Sequence, residues 1–175
     1  ADYFRIAAEL GEAEASFKLG HIYLTGALGF VDMGKAIAQF KAAAAKGFAP
    51  AQYQLGQITM ADAKNDNDLK AALKHFKMAA KNGLADAQYK YATMLETGQG
   101  TSVDLVLAAV NYEAAAEQGI VLAQARIGFM YKDGVGVTVN FERAFKWLEM
   151  GAKAGLANSQ FAAATALFDG IGTSA

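Results

Sequence analysis

Acid–base or metal chemistry in this chain would have to start from two imidazoles, His21 and His75, because it holds no cysteine. A helical metal pair needs ligands at i, i+4 on one face, and nucleophilic catalysis needs a base within reach of a hydroxyl. The two histidines fall on different helical segments, and no Ser/His/Asp arrangement is suggested around either. No catalytic residue, metal ligand or cofactor is therefore expected. Four glycine pairs invite a phosphate-loop reading: Gly26 with Gly29, Gly98 with Gly100, Gly134 with Gly136, and Gly170 with Gly172. A phosphate cradle follows a strand and keeps a lysine beside it. These pairs have neither, which leaves turn geometry. The acidic stretch from Asp62 to Asp68 lacks the spacing of a calcium loop and reads as a solvated irregular turn.

The elements that would position any of these residues repeat. Gly11, Gly47, Gly83, Gly119 and Gly155 recur every 36 residues, a period that signals stacked helical repeats. Within each period a first helix, A, carries the stripe Ala15, Leu19, Ile22, Tyr23, copied in turn by Ala51, Leu55, Ile58; Ala87, Tyr91, Met94, Leu95; Ala123, Ile127, Met130, Tyr131; and Ala163, Ala166, Leu167. A second helix, B, carries Ala36, Phe40, Ala43, Ala44 and its copies. Asp32, Asp68, Asp104 or Asn140 stands before each B as an N-cap, and the recurring glycine closes it. Gly20, Gly56 and Gly128 lie inside helix A, with Ala92 and Ala164 in the same place, so that position needs a small residue where helices meet. Phe17, Tyr53, Tyr89 and Phe161 share one register and Phe40, Phe76 and Tyr112 another; both sets, with Trp147 at the usual aromatic place of helix B, are expected in the packing.

Composition excludes further classes. A net charge of −1, from 16 basic against 17 acidic residues, supplies no field for nucleic acid. No apolar run approaches the roughly 20 residues of a membrane span. The chain begins at Ala1, so a processed or excised form is expected, with a leader peptide among the segments that processing removes.

The pattern Ala-x-x-x-Leu-Gly-x-x-Tyr, a Gly-x-Gly turn, Asp or Asn, Lys/Arg-Ala, an aromatic, Ala-Ala and a closing Gly resembles the Sel-1-like repeat, most fully from Ala123 through Gly155. The resemblance covers essentially the whole chain. It implies a fold related to tetratricopeptide arrays: all-α, a right-handed α/α superhelical solenoid of about five helix-turn-helix repeats. Residues 1–175 form one repeat domain in this reading, with a lone helix B or cap at 1–14, full repeats at 15–50, 51–86, 87–122 and 123–158, and a partial repeat at 159–175. The second unit departs from the pattern, lacking the glycine pair and placing Thr59 at the tyrosine position. Cysteine-rich relatives credited with β-lactam binding or hydrolysis are a poor guide to a chain without cysteine.

The family's role implies a non-enzymatic scaffold or adaptor, its concave face lined by the first helix of each repeat. Helical spacing then selects two columns on helix A, one of Lys18, Gln54, Lys90, Arg126 and Ala162, the other of His21, Gln57, Thr93, Phe129 and Thr165. The expected partner is a protein or peptide of acidic character meeting Lys18, Lys90 and Arg126, with no nucleic acid and no membrane insertion. The alternative is an envelope-associated ligand-binding or hydrolytic member of the same family. Periplasmic or secreted placement stands ahead of the cytoplasm. An apolar face left uncovered at a terminal helix points to a segment of a longer array and would favour end-to-end self-association.

Overall fold

The computed structural model describes residues 2–27 and 29–172, which form ten α-helices and no strand. The A helices are α2 (Ala13–Thr25), α4 (Ala49–Ala61), α6 (Ala85–Thr97), α8 (Val121–Asp133) and α10 (Ala157–Asp169), each 13 residues long and starting 36 residues after the last. The B helices are α1 (Asp2–Glu9), α3 (Met33–Ala45), α5 (Asp66–Lys81), α7 (Leu105–Glu117) and α9 (Phe141–Lys153).

Three B helices start as the side chains dictate. Asp32, Asp104 and Asn140 each accept from the backbone N–H three residues on, at 2.9 Å. The fourth corrects the sequence expectation. Asp68 does not cap α5; Asn65 does, accepting from the N–H groups of Asn67 at 2.9 Å and Asp68 at 3.2 Å, so α5 begins at Asp66 and reaches 16 residues. With no glycine to carry the chain through a left-handed turn, α4 ends at Asp62 in right-handed geometry, and Asp68 instead accepts from the N–H of Lys64.

The chain divides into two compact units, Ala1–Ala87 and Gln88–Ala175. In the first, α1 packs on α2, α2 on α3, α3 on α4 and α4 on α5; in the second, α7 packs on α8, α8 on α9 and α9 on α10. One rule organises both cores: a large side chain of helix B lies over a small residue of helix A. A Cβ placed on Gly20 would sit 2.6 Å from the Phe40 ring, on Gly56 2.8 Å from Phe76, and on Gly128 2.8 Å from Leu148. Phe40 and Phe76 are wholly buried. Truncating either to alanine is expected to cost about 3–5 kcal/mol.

In two of the turn pairs the second glycine is required by a close approach. A Cβ on Gly136 would lie 2.2 Å from the carbonyl oxygen of Leu105, and one on Gly172 equally near that of Phe141. The turn after helix A is thus pressed against the start of the preceding helix B.

Three packing expectations need correction. Trp147 is buried, but it stands in the register of Gln39, His75 and Asn111; the register of Phe40, Phe76 and Tyr112 is held by Leu148. Phe161 is 77% exposed and Leu167 61%, because no described helix B follows α10 to cover them.

Candidate partner-binding faces on the A helices

In the first unit, Lys18 is exposed and pairs with Glu14 at 2.7 Å, one helical turn away, with its ammonium 5.6 Å from the centre of the Phe4 ring. This pairing holds the Glu14 carboxyl below its ordinary range. His21 serves as a packing ring, edge-on to Phe17 at 4.5 Å and to Phe40 at 5.2 Å. Gln54 is half-buried and Gln57 exposed.

His75 lies elsewhere in this unit. It lines a groove of about 470 Å³ with Lys41, Lys64, Thr59, Asp62 and Asp68. Its Nδ1 is buried without a hydrogen-bond partner, and burial followed by the charges of Lys74 and Lys41 lowers its pKa.

In the second unit, Thr93 accepts from the Tyr112 hydroxyl at 3.2 Å, while that hydroxyl also reaches Glu96 at 2.7 Å. Burial pushes the Tyr112 pKa up, so the phenol stays a donor at neutral pH. Glu96 takes the Arg126 guanidinium as well. Glu113, on the next helix, repeats the device, receiving the Tyr131 hydroxyl at 3.0 Å and Arg143, whose guanidinium lies 4.3 Å over the Tyr131 ring. Two of the three cations expected to meet a partner's carboxylates, Lys18 and Arg126, are therefore already held within the chain. Among the described residues, Lys90 is half-buried and makes no ion pair.

Phe129, Ala162 and Thr165 do come together. With Leu148, Phe141, Phe161 and Ile171 they line an apolar cavity of about 350 Å³, at whose edge stand Lys132 and Asp169. That volume falls in the range of pockets that accept a ligand group. Phe129 is half-buried, lies under the Lys132 ammonium at 5.9 Å, and also borders a second cavity of about 260 Å³ with Leu122, Ala125 and Leu156.

Sequence reasoning missed a polar ladder that fixes the ends of α3, α7 and α9 to the next A helix. Gln52 and Gln124 are buried and donate to the carbonyls of Ala44 at 3.1 Å and Ala116 at 3.2 Å; Gln160 does the same to Ala152 at 3.3 Å. Asn82 donates to Gln52 at 2.8 Å and Gln118 to Gln88 at 2.7 Å. The recurrence of glutamine one residue after the first alanine of helix A was the available signal.

The Sel1 repeat family model matches residues 13–48, 49–84, 85–120 and 121–156. No curated protein matches the chain. Among solved structures, a protective antigen present in uropathogenic Escherichia coli strains and displaying an SLR fold is 32% identical, with a TM-score of 0.85 over 98% of this chain and 37% of its own. A Sel1 repeat protein from Oxalobacter formigenes is 30% identical, with a TM-score of 0.79 over 90% of this chain and 46% of its own. The chain thus spans less than half the length of either. The cysteine-rich protein B of Helicobacter pylori, at 18% identity and a TM-score of 0.52, covers 73% of this chain and 97% of its own, and shares the fold alone.

Proposed function

The chain belongs to the Sel1 repeat family, whose members generally act as protein-interaction scaffolds, and on that premise we propose that it is a non-enzymatic adaptor binding a protein or peptide through its A helices. Lys18, His21, Gln54 and Gln57 form a binding face of the first unit in this proposal, and Lys90, Thr93, Arg126, Phe129 and Thr165 one of the second. The observation that carries it is the cavity between α8, α9 and α10. An aromatic anchor beside a concave apolar recess, with charges at the rim, is the arrangement in which interface energy concentrates. The partner inserts an apolar side chain beside Phe129 and sets an acidic group near Lys90 or Lys132. Arg126 joins only when the incoming carboxylate displaces Glu96, which makes it a tuning contact and Phe129 the anchor.

The test is recovery of partners by the wild-type chain against a Phe129→Ser variant and a Lys90→Ala, Arg126→Ala, Phe129→Ser combination. Loss of the same proteins with Phe129→Ser, at unchanged helicity, supports the proposal. Equal recovery by all three proteins overturns it.

A further inference from the structure

The groove that His75 lines between α3, α4 and α5 exists because the second repeat departs from its neighbours in two places. At the helix A position of Thr59 the first, third and fourth repeats carry Tyr23, Leu95 and Tyr131, and both Leu95 and Tyr131 are buried. Thr59 is smaller, and its hydroxyl is turned back onto the carbonyl of Leu55 at 2.8 Å. The turn differs as well. In the other three repeats the residue that caps helix B folds back over this position: the N–H groups of Asp32, Asp104 and Asn140 donate to the carbonyls of Tyr23, Leu95 and Tyr131 at 3.0, 3.0 and 2.9 Å. The N–H of Asp68 goes to Asn65 at 3.2 Å instead, so the turn without glycine does not close on Thr59.

Charge is reversed at the same place. In the second unit Glu113 receives the Tyr131 hydroxyl and Arg143. Two 36-residue periods earlier, the residues at these three positions are Lys41, Thr59 and Ala71. A cation thus replaces the carboxylate, and its two large partners are cut back. Lys41 and Lys64 both line the groove, and among the described residues neither ammonium makes an ion pair. Ile37, Leu55 and Ile58 supply an apolar wall. The buried Nδ1 of His75 finds no partner in the protein, whereas buried polar atoms are ordinarily hydrogen-bonded.

We propose that this groove binds the C-terminal residue of a peptide, its carboxylate between Lys41 and Lys64 and its aliphatic side chain on Ile37, Leu55 and Ile58. The guest fills the kind of space that Tyr131 and Arg143 occupy around Glu113. The lining selects this occupant. Two cations favour a carboxylate, but Asp62 and Asp68 stand in the same lining and oppose a multivalent anion such as phosphate. Asp68 already accepts from the N–H of Lys64 at 2.9 Å, which leaves Asp62 to accept the amide N–H of the last residue. A chain end carries carboxylate, N–H and apolar side chain on one residue; a glutamate side chain sets its carboxylate several bonds away from the nearest N–H. The groove belongs to the first unit and does not involve Phe129, so it stands apart from the adaptor reading.

Titration of the full chain with an acetylated tripeptide ending in a free leucine carboxylate, to about 5 mM and so past a dissociation constant near 1 mM, is followed by NMR at the His75 ring and the Thr59 and Lys64 amides. Saturable shifts at all three are expected. The same peptide closed as a C-terminal amide should bind at least about tenfold more weakly, the loss of a charge-assisted contact. Lys41→Glu, at an exposed position, should weaken binding of the free acid at least as much, and Lys41→Arg should retain it. Thr59→Tyr refills the groove and should abolish binding, while Phe129→Ser should leave the titration as in wild type. No saturable shift over that range, equal binding of acid and amide, or indifference to Lys41→Glu overturns the proposal. Tighter binding of a leucine amide peptide that bears a glutamate carboxylate, or displacement of the tripeptide by inorganic phosphate at equal concentration, overturns the choice of occupant. Should Thr59→Tyr disturb α4, the amide peptide and the Lys41 variants decide alone.

Discussion

Replacing Gly20 with alanine sets two magnitudes of opposite sign against each other. Helix propensity favours the change by about 1 kcal/mol, since glycine in a helix interior is that much worse than alanine. The structure opposes it: the new Cβ would lie 2.6 and 2.7 Å from two carbons of the Phe40 ring and 3.1 Å from a third. Phe40 is fully buried and bounded by Phe17 and His21, so the ring cannot swing aside without disturbing both. Inserting a methyl group into such packing costs about 1–3 kcal/mol, and with no room for the ring we place Gly20 at the upper end, leaving a net loss of about 1–2 kcal/mol. Gly34→Ala is the matched control. It is helical and exposed, and its added Cβ would meet only a carboxylate oxygen of Asp32 at 3.5 Å, so it should gain up to about 1 kcal/mol. Urea unfolding followed by circular dichroism reads both. A Gly20→Ala protein as stable as wild type would show that the ring yields, and the rule of large B residues over small A residues would lose its energetic basis.

Other outcomes follow from the polar ladder and the charges. Gln124→Ala removes a buried side-chain donor from the carbonyl of Ala116, which keeps the N–H of Gly119 at 3.0 Å, and should cost about 0.5–1.5 kcal/mol in the same assay, whereas the exposed Gln160→Ala should cost less. His75 has a lowered folded-state pKa, so the unfolded chain takes its proton first. Its contribution to stability is complete above the ordinary histidine range and is lost as pH falls through that range toward the folded value; a His75→Gln protein should lose less stability than wild type across that interval. Glu96→Gln removes the ion pair that holds Arg126 while keeping an acceptor for Tyr112, so it should cost under about 1 kcal/mol and strengthen capture of an acidic partner, read by titration against that partner.

Much of this architecture was legible because the repeat samples the same physical problem several times. The glycine period, the caps Asp32, Asp104 and Asn140 and the small residues at Gly20, Gly56 and Gly128 each report a local requirement that only a few residue types meet. Asp68 misled because two candidate caps lie three residues apart, and Asn65 won by serving two N–H groups at once. The helix A columns were visible as positions but not as environments. Spacing cannot tell that His21 packs on Phe40, or that Thr93 answers the Tyr112 hydroxyl, because those contacts belong to helix B of the same repeat. Nor can it show that Arg126 is already claimed by Glu96, 30 residues earlier. The exposure of Phe161 could not be read from its register, which matches the covered Phe17, Tyr53 and Tyr89; among the described residues only the lack of a following helix B distinguishes it.

The central claim is that partners are held at the helix A groove around Phe129. A photo-crosslinking residue at position 129, compared with one at the exposed helix B position of Met78, measures this directly in the presence of native proteins. Adducts with the same partner from position 129 and none from position 78 are what the account predicts; adducts from position 78 alone would contradict it.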